Sequence, residues 1–195
     1  MKTILVFVAL LGLGTDLTMA AASVDEGAKK LVTAYDFLKQ HKYQEARTVY
    51  EAGLQHSPAN AMAHFYLGDT CRGLKDWVCA EAHYETALEL NLQSSLTDLA
   101  KQRARKAKVW RLLDEGKQAI NEPNAPPTKV AQAKDTLDIA NKLGLDDEQR
   151  ALYQQLQEKI QQRHTLIHEK TASSQHQARS MALVPAGKFT MGSSM

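Results

Sequence analysis

The chain has few of the residues that interrupt helices or cross-link small folds. Its 195 residues include five prolines, ten glycines and two cysteines, and only 6% of the residues are aromatic. So few prolines and glycines, among abundant Ala, Leu, Gln, Lys and Glu, favour helices over a sheet-rich fold. Acidic and basic residues nearly balance at a net charge of +2. This balance requires neither nucleic acid nor a membrane as a partner.

Residue patterns that carry catalysis are also missing. The sequence has no Ser/His/Asp constellation, no glycine-rich phosphate loop and no carboxylate pair in a recognisable motif. His164 and His168 lie four residues apart and could share one face of a helix, but no third ligand lies at a suitable spacing. We therefore expect a non-catalytic chain without metal or cofactor, in which these two histidines lie on a solvated helix face.

The first 22 residues have the pattern of a secretory signal peptide. Lys2 precedes an apolar run at residues 3–14, and small residues follow at positions 20–22. The run is shorter than the roughly 20 apolar residues that span a bilayer. The pattern predicts a signal peptide over residues 1–22, a periplasmic or secreted mature chain, and no membrane partner beyond export.

An internal repeat organises the next part of the chain. Offsetting the sequence by 34 aligns residues 27–60 with residues 61–94. The aligned pairs are Ala46/Ala80, Tyr50/Tyr84, Glu51/Glu85 and Leu54/Leu88, with small residues at Ala34/Gly68 and Gly53/Ala87. These stretches resemble tetratricopeptide repeats in their period and in their small and aromatic positions. The resemblance implies two helical hairpins of an all-α solenoid.

The same resemblance implies a binding surface. In repeats of this kind the first helix of each hairpin lines a concave groove. The groove-facing positions would be Leu31, Tyr35, Leu38, Lys39, Phe65, Asp69 and Arg72. This mixture suits an extended protein or peptide segment that carries apolar and charged side chains. The chain is therefore expected to act as a protein-interaction module.

Helical patterns continue beyond residue 95 with less resemblance to the repeat. Apolar residues recur every three or four positions over 96–120 and 128–143, which predicts a degenerate helical hairpin within residues 95–145. A long capping helix is expected over 146–170, followed by a polar linker over 171–180.

Six of the eleven residues from 101 to 111 are basic. Such a run could attract nucleic acid or anionic lipid. Apolar residues are interspersed in it, however, and the predicted export argues against nucleic acid. We expect a solvated or partner-facing helix surface and no nucleic-acid partner.

The two cysteines lie on either side of a predicted turn at residues 74–76. Cys71 and Cys79 fall at similar distances from this turn, where two packed helices are close. In an exported protein an even cysteine count favours a disulfide. The alternative is a pair of small buried residues in a helix interface. A redox motif is disfavoured, because the spacing is Cys-x7-Cys rather than Cys-x-x-Cys.

Residues 181–195 have a pattern of their own. Alternating apolar residues flank a Pro-Ala-Gly turn at 185–187, which predicts a β-hairpin. The run resembles the entry strand of the formylglycine-generating enzyme and sulfatase-modifying factor family. It matches at Met181, Val184, Pro185, Ala186, Gly187, Phe189, Met191, Gly192 and Ser193. The resemblance implies that the chain is the N-terminal adaptor of such a protein, with the start of the enzyme-like domain at its end. The alternative is a stand-alone periplasmic scaffold or spacer.

Overall fold

The computed structural model describes the backbone of residues 13–182 and the side chains of residues 26–179. Across this range the chain forms seven helices and no strand, which confirms the all-α expectation. The helices are α1 (Leu13–Lys39), α2 (Tyr43–His56), α3 (Ala61–Gly73), α4 (Trp77–Glu89), α5 (Ser94–Asn121), α6 (Pro127–Lys142) and α7 (Asp147–Ala182). The chain divides into two compact units, Met1–Arg111 and Leu112–Met195. The division falls within α5.

The period of the repeat is visible in the backbone of the first unit. Helices α1 and α2 pack as one hairpin, and α3 and α4 pack as the next. The turn inside each hairpin contains a left-handed residue, His41 in the first and Lys75 in the second, each with φ of 59°. These residues lie one period apart (41 + 34 = 75), so the two hairpins turn in the same way at equivalent residues.

Small residues and one tyrosine per hairpin form the core of this unit. Ala46 and Ala80 are fully buried, and Tyr50 and Tyr84 are almost completely so. A Cβ atom on Gly68 would lie 2.7 Å from the ring of Tyr84, so a glycine at this position lets the ring pack directly on the α3 backbone. Close approach of the helices therefore depends on the small residues that the sequence pattern singled out.

Buried carboxylates join α5 to the second hairpin. Arg103 donates a hydrogen bond to Asp69. Arg111 Nε lies 2.6 Å from Glu81 Oε2, and Lys108 Nζ lies 3.7 Å from Glu81 Oε1. The indole rings of Trp77 and Trp110 stack nearby with centroids 5.3 Å apart. Part of the basic run at residues 101–111 therefore neutralises acidic groups within the protein.

The second unit is a further set of packed helices. A Cβ on Gly116 would lie 2.6 Å from Leu137 Cδ2, so α5 and α6 approach closely, as the degenerate hairpin requires. Helix α6 packs on α7, where Leu156 and Ile160 are buried. The start of α7 is a capping box, in which Asp146 Oδ1 accepts from Gln149 N at 2.9 Å and Gln149 Oε1 accepts from Asp146 N at 3.1 Å.

Helix α7 is longer than the sequence predicts. Residues 171–180, expected as a linker, are helical, and the side chains of 171–179 are exposed. Thr171 donates to the carbonyl of Ile167 at 2.8 Å, and Ser174 to that of Lys170 at 2.8 Å. These hydroxyls bond to the preceding turn, so polar composition does not end the helix here.

Most residues at the two ends of the chain lie outside the part that the structure describes. Residues 181 and 182 are the last of α7 rather than the start of a hairpin. The remaining hairpin positions, 183–195, lie beyond the described residues, as do residues 1–12 of the predicted signal peptide. Residues 13–22 belong to α1. Among the helices described, none combines the length and the apolarity needed to cross a membrane.

Candidate functional site

A hollow of about 310 Å³ opens between α1 and α3, and we call it the apolar hollow. Its lining residues are Leu31, Val32, Tyr35, Tyr50, Asn60, Met62, Ala63 and Tyr66. Val32, on its wall, is 65% exposed, so an aliphatic side chain of the hollow faces solvent. The surface is therefore both apolar and open to solvent.

Two aromatic rings form one side of this hollow. The ring centroids of Tyr35 and Tyr66 are 4.8 Å apart at an interplanar angle of 52°. Lys39 Nζ lies 5.2 Å from the centroid of Tyr35, within the range of a cation–π contact. Burial, and then the neighbouring Tyr35, raise the pKa of Tyr66. Tyr66 is thus neutral at physiological pH. Its ring packs against that of Tyr35.

The wall of the apolar hollow also contains a buried polar atom. Tyr50 is 1% exposed, and its hydroxyl has no hydrogen-bond partner among the residues that the structure describes. An unsatisfied buried hydroxyl typically costs about 1–3 kcal/mol. Burial raises the pKa of Tyr50, so this hydroxyl remains protonated at physiological pH.

A second hollow, of about 220 Å³, lies between α3 and α5, and we call it the basic hollow. Its lining residues are Arg72, Leu99, Gln102, Arg103 and Lys106. Three of these five carry a positive charge, and no acidic side chain is among them. The basic hollow therefore favours a negatively charged group, while α3 contributes to both hollows.

Asp69 lies on α3 between the two hollows but does not offer a free carboxylate. It is 8% exposed. Tyr84 donates its hydroxyl to Asp69 Oδ1 at 2.7 Å, Arg103 bonds to Oδ2, and Arg72 Nε lies 3.5 Å from Oδ1. Its negative charge is thus neutralised within the protein, and its role is to position Arg72 and Arg103.

The predicted groove residues are distributed unevenly. Leu31 and Tyr35 line the apolar hollow, Arg72 lines the basic hollow, and Lys39 covers the ring of Tyr35. The placement of Phe65 in the groove is corrected, because Phe65 is 2% exposed in the core and the Arg103 guanidinium lies 5.0 Å from the centroid of its ring. The placement of Asp69 is corrected as well, because its carboxylate is buried and paired within the protein. Leu38 is partly buried against the core and lines neither hollow.

The sequence prediction missed the part of the site that α5 supplies. Leu99, Arg103 and Lys106 occupy the positions equivalent to Phe65, Asp69 and Arg72, one repeat period later. Extending the same period into the third hairpin predicts them as groove residues. The repeat pattern does not indicate them directly, because its small and aromatic positions fade beyond residue 95.

Comparison with known families agrees with this geometry. Residues 31–95 match the tetratricopeptide repeat family model. No curated protein and no solved structure matches the chain significantly. Tetratricopeptide repeats typically serve as non-catalytic scaffolds that bind protein partners. The match ends before residues 181–193, so their resemblance to the formylglycine-generating enzyme family stays a prediction.

The second helical repeat contains a cluster of two sulfur atoms and two imidazole rings whose residues line neither hollow. A disulfide joins Cys71 on α3 to Cys79 on α4, with Cα atoms 5.7 Å apart. His83 lies next to it, and His83 Nδ1 is 3.0 Å from His64 Nδ1. Burial, and then His64, lower the pKa of His83. Formation of the bridge in the exported protein stays a prediction, which intact-mass analysis of alkylated, unreduced protein checks.

The histidines considered for metal binding in the sequence do not form such a cluster. His164 and His168 lie on α7, and the one group of three His, Cys, Asp or Glu ligands found in the described part of the chain contains neither.

Proposed function

We propose that the chain is an exported tetratricopeptide-type interaction module that binds an extended peptide. The apolar hollow takes an apolar side chain of the peptide, and the basic hollow takes an acidic one. The observation that carries this proposal is that a solvent-open apolar hollow and a basic hollow share residues of the same helix, α3.

The spacing of the two hollows sets the spacing of the peptide side chains. Tyr66 and Arg72 are six residues apart on α3, which is about 9 Å along a helix. A peptide in the polyproline II conformation rises about 3.1 Å per residue and points every third side chain in the same direction. The apolar and acidic side chains of the peptide are therefore about three residues apart, as in a Leu-x-x-Glu sequence.

Export and the link to an enzyme are further parts of the proposal. The apolar run at residues 3–14 and the small residues after it support a signal peptide and a periplasmic or secreted location. The run from Met181 to Ser193 supports a role as the N-terminal adaptor of a formylglycine-generating-like protein. In this scheme the repeats bind and position a partner, and any catalysis belongs to residues beyond this chain.

Fluorescence anisotropy with short labelled peptides tests the binding proposal. The probe is an acetylated Leu-x-x-Glu peptide, and its control has Lys in place of Glu. We expect the Glu peptide to bind more tightly, and its affinity to fall at least tenfold in Val32→Glu. Val78→Glu is the matched control, because Val78 is 63% exposed on α4 and lines neither hollow. Equal affinities for the two peptides, or equal loss in the two variants, would contradict the proposal.

A stand-alone periplasmic scaffold is the second candidate. The same peptide binding is expected of it, so the gene decides between the two. A reading frame that continues past the codon for Met195 for roughly 200 residues or more, about one domain, supports the enzyme-linked adaptor. A stop codon directly after Met195 in an intact gene supports the scaffold.

A further inference from the structure

Three potential metal ligands converge in the second repeat. The sulfur atoms of Cys71 and Cys79 and a ring nitrogen of His83 all lie within 4.8 Å of one another. Cys71 is fully buried, while Cys79 and His83 are half-buried. Two cysteines and one histidine are the ligand types that bind zinc in proteins. The three side chains come from two packed helices, so the fold brings them together.

A chain of hydrogen bonds fixes the orientation of His83. His64 Nε2 lies 3.0 Å from the carbonyl oxygen of Pro58, which can only accept, so Nε2 carries the proton. The Nδ1 of neutral His64 is then an acceptor. His83 Nδ1, 3.0 Å away, therefore donates to it, which leaves His83 Nε2 with its lone pair. Metal-binding histidines typically donate their other ring N–H to a neighbouring acceptor in this way.

We propose that reduction of the Cys71–Cys79 disulfide creates a Zn²⁺ site formed by the two thiolates and His83 Nε2. His64 acts as a positioning residue, since it orients the His83 ring without touching the metal. A water molecule completes a tetrahedral set of ligands. The second repeat then exists in one of two cross-linked states, a disulfide or a zinc complex, because both states use the same sulfur atoms.

The conversion balances with a dithiol as the reductant. A dithiol attacks the protein disulfide, its two sulfurs become a disulfide, and Cys71 and Cys79 become two thiols. Binding of Zn²⁺ then releases the two thiol protons to solvent, because the thiolate is the metal-binding form. Oxidation by a disulfide donor reverses the exchange and releases the metal.

The distances suit this exchange. Zinc–sulfur bonds of about 2.3 Å and zinc–nitrogen bonds of about 2.0–2.1 Å place tetrahedral ligand atoms roughly 3.3–3.8 Å apart. The present spread of up to 4.8 Å must contract to that range, which requires the side chains to rotate. Breaking the disulfide allows the sulfur atoms to move apart to the same range.

Cobalt substitution on the full 195-residue chain tests the site. The protein is reduced with a phosphine, which is removed before Co²⁺ is added without oxygen. We expect thiolate-to-cobalt charge-transfer absorption and strong tetrahedral bands that saturate at one Co²⁺ per chain and disappear on addition of Zn²⁺. The disulfide form should show neither band. Absence of thiolate–cobalt absorption in the reduced chain would overturn the proposal. This measurement uses the unsubstituted protein sequence, so it does not depend on the folding of a variant.

Single substitutions then separate ligands from positioning residues. Cys79→Ser and His83→Ala should lower Zn²⁺ affinity more than a hundredfold, and His64→Ala by about 10–100-fold, the usual effect of an outer-shell partner. His168→Ala, at an exposed position of α7, is the matched control and should bind as the unsubstituted chain does. Wild-type affinity in a helical, folded His83→Ala protein would also overturn the proposal.

Discussion

The two helical repeats bury a tyrosine at the same position but give its hydroxyl different surroundings. Tyr84 donates to Asp69, which is held by Arg103 from the next hairpin. Tyr50, one repeat period earlier, has no partner among the described residues, because the position equivalent to Asp69 is Tyr35. In the second repeat the hydroxyl therefore stabilises the fold, whereas in the first it is buried without such a bond. The same packing position thus has a hydrogen-bonded hydroxyl in one repeat and, among the described residues, an unpaired one in the other.

The largest expected effect is at the position where the two repeats differ. Asp69→Ala leaves Arg103 and Tyr84 without their shared acceptor, so we expect the free energy of unfolding to fall by about 3 kcal/mol. Tyr35→Ala, at the equivalent position of the first repeat, should lower it by only about 1–1.5 kcal/mol, since the change removes a partly exposed ring and its contact with Tyr66 but leaves no buried charge unpaired. Urea titration followed by circular dichroism measures both. Similar losses in the two variants would break the comparison.

The tyrosine hydroxyls themselves give a smaller, sharper contrast. Tyr84→Phe removes a hydrogen bond to a charged group and should lower the free energy of unfolding by about 2 kcal/mol. Tyr50→Phe removes a hydroxyl without a partner among the described residues and should change it by less than about 0.5 kcal/mol, or increase it. A destabilised Tyr50→Phe protein would mean that this hydroxyl has a partner after all.

Alkaline pH should affect the two repeats alike. Burial raises the pKa of both Tyr50 and Tyr84 above that of an exposed tyrosine. The unfolded chain therefore releases these protons first, so the stability is complete below about pH 10 and decreases as the pH rises further. The slope is at most about 1.4 kcal/mol per pH unit for each tyrosine. Each Tyr→Phe variant should reduce the slope of the unfolding free energy against pH by a similar amount, as measured by urea titrations at pH 9–11. A slope unchanged in both variants would exclude these two groups as its source.

Much of this architecture follows from short-range sequence patterns. The repeat period specifies the hairpins because each small or aromatic position recurs where two helices must approach, as Ala46 and Ala80 do. The start of α7 follows from Asp146, whose side chain caps it. Such features depend on neighbours within a few positions or one repeat, and the sequence alone therefore predicts them well.

The errors arise where local composition is a poor guide. Phe65 was assigned to the groove, but Arg103, on a helix of the following hairpin, covers its ring. The basic run at 101–111 gave no sign that Glu81 and Asp69 neutralise part of it. Residues 171–180 looked like a linker because Ser, Thr and Gln are abundant there, yet helix α7 continues through them. In each case a distant partner or a continuing helix outweighed local composition.

The Asp69–Arg103 pair has a consequence for how such an array can grow. The two residues occupy equivalent positions of successive hairpins, since 69 + 34 = 103. Tandem duplication of the second repeat would place a second aspartate where Arg103 now lies, and two buried carboxylates would repel each other. The hairpin with Arg103 must therefore follow directly after the one with Asp69. Copy number and order are constrained by one pair of opposite charges, so these repeats cannot be shuffled or multiplied like interchangeable units.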